Sequence, residues 1–72
     1  MDALITAIRP QDVAREVESI LQRGKVNRFV LRPVARGGML DQERLGAARY
    51  AAGLHSKVEL EAEAPTALAM AR

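Results

Sequence analysis

The sequence has no cysteine and only two aromatic side chains, Phe29 and Tyr50, among its 72 residues. The absence of cysteine excludes disulfide bonds and thiolate metal sites. The scarcity of aromatic rings argues against a sheet surface that stacks unpaired bases, because such surfaces use Phe, Tyr or Trp. No apolar run approaches the roughly 20 residues that span a bilayer, and the acidic second residue with a short apolar patch is unlike a secretory signal. We therefore expect a cytoplasmic protein with no membrane partner.

The chain is also short, and alanine supplies much of its 49% apolar fraction. We expect one domain over residues 1–72 with a thin core, because a chain of this size buries only about 60% of its unfolded surface. Small domains without disulfides or metals often gain stability by association. The composition therefore favours a homodimer.

Positive charge is concentrated in the first half of the chain. Residues 1–38 carry seven Lys or Arg against four Asp or Glu, whereas residues 39–72 carry four against five. The segment from Arg23 to Met39 has five basic residues and no acidic one. A net charge of +2 does not by itself predict nucleic-acid binding, so the local asymmetry is the feature to interpret.

The first half predicts a strand and a helix. Residues Ala3–Ile8 are apolar and β-branched, which is typical of a strand. Pro10 suits the first turn of a helix, and Gly24 is suited to end it in a left-handed conformation. One apolar face of this helix is formed by residues with the spacing i, i+4, i+7 and i+8, namely Val13, Val17, Ile20 and Leu21.

The second half predicts a strand, a loop and another helix. Residues Lys25–Val34 alternate, with Phe29 and Leu31 on one face. A helix from Gln42 to Ala52 would present Leu45, Ala48 and Ala52 on one face and end at Gly53. Asp41 is the predicted N-cap, and Leu40 and Leu45 have the spacing of a hydrophobic staple.

Strict alternation in Lys57–Ala64 predicts a third strand, and residues 66–72 can form a fourth after the turn at Pro65. The predicted fold is α+β with order β-α-β-α-β-β. Right-handed crossovers would place both helices on one face of a mixed four-stranded sheet.

Arginines and glutamates share the predicted open face of this sheet. Arg28 and Arg32 would lie beside Glu59, Glu61 and Glu63. The favoured interpretation is a ladder of opposite charges that covers the face, and the alternative is that the arginines are available to bind a polyanion.

The element order and the loop sequence Val34–Gly37 resemble the Alba superfamily of small dimeric nucleic-acid-binding proteins. Four short segments in order are similar to the stage V sporulation protein S family. They are residues 1–4, Val13–Arg15, Ile20–Gly24 and Gly38–Gln42. The chain departs from that family in its longer connection containing Pro33 and in lacking the longer C-terminal half. The resemblance implies backbone phosphate contacts by Arg9 and Arg36, although Alba proteins typically have lysine where Arg9 stands.

The residues of the loop Arg36-Gly37-Gly38 are compatible with a phosphate contact, although a plain flexible loop is the more common meaning of such a sequence. Glycines let backbone amides approach an anion, and a helix N-terminus adds partial positive charge. Arg44, one turn into the helix, and Lys25, at the end of the first helix, complete the predicted contacts. Against this, Asp41 would repel an anion, and a plain flexible loop is the alternative.

Nothing in the sequence indicates catalysis. His55 beside Ser56 lacks the oriented acid and base of a nucleophilic site, and no residue pattern indicates a metal or cofactor. We therefore predict a non-catalytic protein that binds DNA or RNA with low specificity. The alternative is a protein-interaction module, a small regulator or inhibitor that docks on a larger partner.

Overall fold

The computed structural model describes residues 1–53 and 55–60 as a sheet with two helices. The elements follow in the order β1 (Asp2–Ile5), α1 (Pro10–Arg23), β2 (Arg28–Leu31), α2 (Met39–Ala52) and β3 (Lys57–Leu60). The first five elements of the predicted order are confirmed, and β1 and β2 are shorter than predicted. Neither helix is long and apolar enough to cross a membrane.

The described sheet has three parallel strands in the order β1-β2-β3. Each helix carries the chain back to the start of the next strand, so successive strands run in the same direction. An antiparallel strand would require the predicted hairpin, which lies outside the described residues, as does the fourth strand. The mixed character predicted for the sheet is therefore absent from this part of the chain, where every pair is parallel.

Both helices pack on one face of the sheet, as predicted. Phe29 and Leu31 are fully buried, and they cluster with the buried valines of α1 and with Leu45 of α2. The register aligns Phe29 with Val58 and Leu31 with Leu60. The alternating apolar residues of the strands and the predicted apolar faces of the helices therefore form one core.

Helix α1 begins at Pro10 and ends before Gly24, as predicted. Gly24, however, has φ 170° rather than a left-handed conformation, so that part of the prediction is wrong. The chain leaves the helix in an extended conformation because β2 follows after only a short connection.

Helix α2 begins at Met39, three residues earlier than predicted, with Gly38 at its N-cap. Asp41 is therefore not the N-cap, and Leu40 lies within the helix, so the predicted staple does not form. The carboxylate of Asp41 is bound by the preceding loop instead. Gly53 ends the helix, as predicted. It has φ 60°, and its N–H donates to the carbonyl of Arg49.

On the open sheet face, Arg28 bridges the neighbouring strands. Its guanidinium lies 2.6 Å from Asp2 and 3.1 Å from Glu59. The pairing of Arg28 with Glu59 confirms part of the predicted charge ladder, whereas Asp2 was not predicted. Glu61 and Glu63 lie outside the described residues. Arg28 therefore stabilises the sheet rather than presenting an isolated positive charge.

Candidate nucleic-acid interface

Parallel strands bring both strand-to-helix loops to one edge of the sheet, here called the carboxyl edge. It comprises the β1–α1 loop, residues 6–9, and the β2–α2 loop, residues 32–38. Arg9 and the Arg36–Gly38 segment lie in these loops, and both helices begin there. Two of the predicted contact regions, distant in sequence, are thus on neighbouring loops.

Arg9 is the N-cap residue of α1. Its backbone is extended, with φ −76° and ψ 140°, and its side chain makes no capping hydrogen bond. Its carbonyl oxygen accepts the first helical hydrogen bond from Val13 at 2.9 Å. The backbone is therefore fixed by the helix, while the side chain is exposed at the carboxyl edge.

The two glycines beside Arg36 have structural reasons to be there. Gly37 has φ 76°, a left-handed conformation that glycine adopts without steric cost. The N–H of Gly38 donates to the carbonyl of Ala35 at 2.8 Å, and an added Cβ at Gly38 would lie 2.9 Å from that oxygen. The loop is a tight turn that leads directly into α2.

A buried ion pair, Asp41 with Arg44, lies beneath this edge. The Asp41 carboxylate accepts hydrogen bonds from the N–H groups of Val34 and Ala35 at 2.8 and 2.7 Å. The guanidinium of Arg44 donates to Asp41 Oδ1 at 2.8 Å. The pair thus holds the β2–α2 loop against the first turn of α2.

Arg44 also connects the two loops of the carboxyl edge. Its Nε and Nη2 atoms donate to the carbonyl of Ala7 at 3.2 and 2.7 Å. Its Nη1 atom donates to the carbonyl of Arg32 at 2.9 Å. One guanidinium therefore binds backbone oxygens of both loops as well as the Asp41 carboxylate.

This burial changes the role expected for Arg44. The residue is only 2% exposed, and its donors are engaged within the protein. It is not at the surface, where a contact with phosphate would require it to be. Arg44 instead determines where the loops that carry Arg9 and Arg36 are held.

The environment of Asp41 favours its ionised form. Burial of the fully enclosed carboxyl raises its pKa, but the hydrogen bonds from Val34 and Ala35 and the charge of Arg44 outweigh this effect. The net result is a pKa below the ordinary value. Asp41 is thus ionised at neutral pH, where its carboxylate accepts the hydrogen bond from Arg44.

A second carboxylate anchors the β1–α1 loop. Glu16 Oε1 accepts hydrogen bonds from the N–H groups of Thr6 and Ala7 at 3.0 and 2.9 Å. Its Oε2 accepts one from the Thr6 hydroxyl at 2.9 Å. Glu16 is half-buried on α1, because the loop folds back onto it.

Lys25 lies at the opposite edge, in the connection from α1 to β2. It borders a groove of about 410 Å³ whose lining combines apolar and polar residues. The lining residues are Leu21, Gly24, Lys25, Val26, Asn27 and His55. The structure therefore separates Lys25 from Arg9 and Arg36 by the length of the strands.

The roles of Glu16, Asp41 and Arg44 were missed because they depend on backbone groups in loops. The i, i+3 spacing of Asp41 and Arg44 is the only local signal, and the exposed pair Asp12 and Arg15 has the same spacing. Spacing alone therefore does not separate a buried pair from a surface pair.

Comparison with protein-family models, with curated proteins and with solved structures finds no match for this chain. Function is accordingly inferred from the geometry of the described residues.

Proposed function

We propose that this chain is a small non-catalytic protein that binds nucleic acid, DNA or RNA, through backbone phosphates as a homodimer. The observation that carries the proposal is that Arg9 and Arg36 lie on neighbouring loops at the carboxyl edge. Two helix N-termini lie at the same edge, and their partial positive charge favours phosphate oxygens. We name Arg9, Arg36, Gly37 and Gly38 as the contact region.

Anchoring of the loops supports this assignment. The β2–α2 loop is held by Asp41 and Arg44, and the β1–α1 loop by Glu16 and Arg44. A preorganised loop loses less conformational entropy on binding than a mobile one. The two arginines are therefore carried on backbone whose position is set before the ligand arrives.

Low sequence preference follows from the kind of contact. Arginine bonds to phosphates position a protein but do not read bases. A base-stacking surface on the open sheet face is disfavoured, since Phe29 is buried and Arg28 is paired with Asp2 and Glu59. Binding is thus expected to depend on charge and backbone shape.

The proposal includes a relationship to Alba-like proteins, with the stage V sporulation protein S family as the nearer resemblance. It is supported by the agreement of the first five elements with the order expected from that resemblance. A fourth strand after β3 would complete the mixed sheet of the proposed fold.

The test is fluorescence polarisation with generic duplex and single-stranded DNA and RNA at low salt. We expect the Arg9→Ala/Arg36→Ala variant to lose at least tenfold in affinity. Arg23→Ala/Lys25→Ala, which also removes two positive charges but at the opposite edge, is the matched control and should change affinity less than threefold. Log affinity should fall with log salt by about 0.9 for each phosphate neutralised on duplex DNA.

Two results would contradict this assignment. Affinity that does not change with salt would exclude phosphate contacts as the source of binding. An equal loss in Arg23→Ala/Lys25→Ala and in Arg9→Ala/Arg36→Ala would show that total charge matters and that the carboxyl edge does not.

A second candidate function is docking on a protein partner, a role for a small regulator or inhibitor. It is favoured by four exposed apolar side chains that surround the same edge. They are Ile8, Val34, Met39 and Leu40, with exposures of 51, 53, 73 and 36%. Absence of binding to all four nucleic acids at low salt would favour this alternative.

A further inference from the structure

The outer face of α2, defined by Met39, Glu43, Gly46, Arg49 and Tyr50, is turned away from the sheet. Its two large apolar side chains are strongly exposed, with Met39 at 73% and Tyr50 at 88%. Both lie with Glu43 and Gly46 within a strip about 60° wide, because a helix turns roughly 100° per residue. Exposed methionine and aromatic side chains are enriched in protein interfaces.

Gly46 lies at the centre of this face and leaves a gap in it. Apart from its chain neighbours and the nearby backbone of α2, no heavy atom lies within 4 Å of the position that a Cβ of Gly46 would occupy. The large side chains of Met39 and Tyr50 flank this gap along the helix. The face therefore has projections on both sides of a point where another backbone can approach closely.

The charges on this face are arranged symmetrically about Gly46. Glu43 precedes it by three residues and Arg49 follows it by three, and both are exposed. Within residues 1–53 and 55–60, neither side chain makes a hydrogen bond or an ion pair. Opposite charges at equal distances from one point make the face complementary to an antiparallel copy of itself.

We propose that α2 packs antiparallel against α2 of a second copy, with the twofold axis at Gly46. Glu43 of each copy then faces Arg49 of the other, so the ion pair forms twice. Met39 faces the small Gly53 of the second copy. This arrangement specifies the interface of the homodimer and rests on that part of the proposed function.

The size of the face predicts a weak dimer. Helix α2 has 14 residues and is therefore about 21 Å long. One helix of this length provides less than the roughly 800 Å² that each partner contributes to a standard stable interface. We expect dissociation in the micromolar range or weaker, with the dimer fraction rising with protein concentration.

The antiparallel arrangement also determines where the carboxyl edges lie. Each edge is at the N-terminal end of its own α2, so the two edges lie at opposite ends of the helix pair. They are separated along the pair by about 20 Å, the length of the helix. Each dimer would then have two separate contact regions rather than one joined surface.

The test is sedimentation velocity of the full chain without nucleic acid, at protein concentrations from about 1 μM to about 1 mM. Wild type should shift from monomer to dimer. Glu43→Arg and Arg49→Glu should each weaken the dimer at least tenfold, because like charges then face each other. An equimolar mixture should dimerise again, because an all-positive and an all-negative face then meet.

Restoration by mixing is specific to this interface, since Glu43 and Arg49 are six residues apart and do not contact each other within one helix. Glu18→Arg, an exposed change on α1, is the control and should leave the dimer intact. Tyr50→Ala should also weaken the dimer. Because Tyr50 is exposed, unfolding of the variant would not account for that loss of dimerisation.

Several outcomes would overturn the interface. These are a wild-type monomer at every concentration, unchanged dimerisation of the charge-reversed variants, or no association in the mixture. A dimer that binds no nucleic acid would refute the proposed binding and leave the interface intact. A wild-type monomer that binds nucleic acid would refute the interface and leave the proposed binding intact.

Discussion

Removing the guanidinium of Arg44 tests whether the buried pair holds the carboxyl edge together. The Arg44→Met change keeps much of the aliphatic volume but removes donors to Asp41, Ala7 and Arg32. It leaves the fully buried carboxylate of Asp41 without its counter-charge. Breaking a buried ion pair in this way costs about 3–5 kcal/mol.

The loss should be a large part of the total stability. A chain of this length is expected to have an unfolding free energy of about 4–11 kcal/mol. Urea unfolding followed by circular dichroism should therefore show a midpoint far below that of wild type, or a substantially unfolded protein in buffer. The double variant Asp41→Leu/Arg44→Met should lose less than the sum of its single changes, because neither charge is then left alone.

The chain contains a matched control for this measurement. Asp12 and Arg15 form an ion pair with the same i, i+3 spacing, but at 4.0 Å and with side chains 47 and 82% exposed. Arg15→Met should therefore change stability by less than about 1 kcal/mol. If Arg44→Met is equally mild, the reasoning from burial and hydrogen bonding is refuted.

Three further predictions test the anchoring of the same edge, two of them with a control substitution elsewhere. Because the pKa of Asp41 is lowered on folding, its contribution should be complete above the unfolded value of about 3.9 and lost as the pH falls through the lower folded value. Urea midpoints measured between pH 7 and pH 2 should show this loss, and Asp41→Asn should remove that part of the dependence. Gly38→Ala should cost roughly 1–3 kcal/mol, since its Cβ would lie 2.9 Å from a backbone oxygen. Gly24 has open space around it and an extended backbone. The stability of Gly24→Ala should therefore be within about 1 kcal/mol of wild type, or higher. Equal losses of stability at both glycines would contradict the steric explanation. Glu16→Ala should cost about 1–3 kcal/mol through three lost hydrogen bonds, whereas the exposed Glu18→Ala should stay within about 0.5 kcal/mol. Thermal and urea unfolding would measure each difference, and a neutral Glu16→Ala would show that the loop is held without it.

Local pattern was sufficient for the elements and the core of the described chain. Alternation of Phe29 and Leu31 predicted the buried face of β2, because successive strand residues point to opposite sides. The helical spacing of Val13 and Val17 did the same for α1. Gly53 was recognised as a helix stop because a left-handed residue there needs no Cβ.

Local pattern was insufficient where a side chain binds backbone groups brought close by folding. Asp41 looks like a helix cap in the sequence, but the turn at Gly37 moves the start of α2 earlier and turns the carboxylate towards the loop. The burial of Arg44 depends on carbonyl groups of Ala7 and Arg32, which are 37 and 12 residues away. Neither distance is encoded by periodicity.

The basic segment from Arg23 to Met39 illustrates the division between the two sources of information. The sequence alone determined its charge, its central strand and the glycine turn that follows, since these depend on composition and neighbouring residues. Only the tertiary structure decided that Arg28 pairs across strands and that Lys25 and Arg36 lie at opposite edges of the sheet. The physical reason is that parallel strands and their crossovers bring distant loops together and separate near ones, which no local pattern specifies.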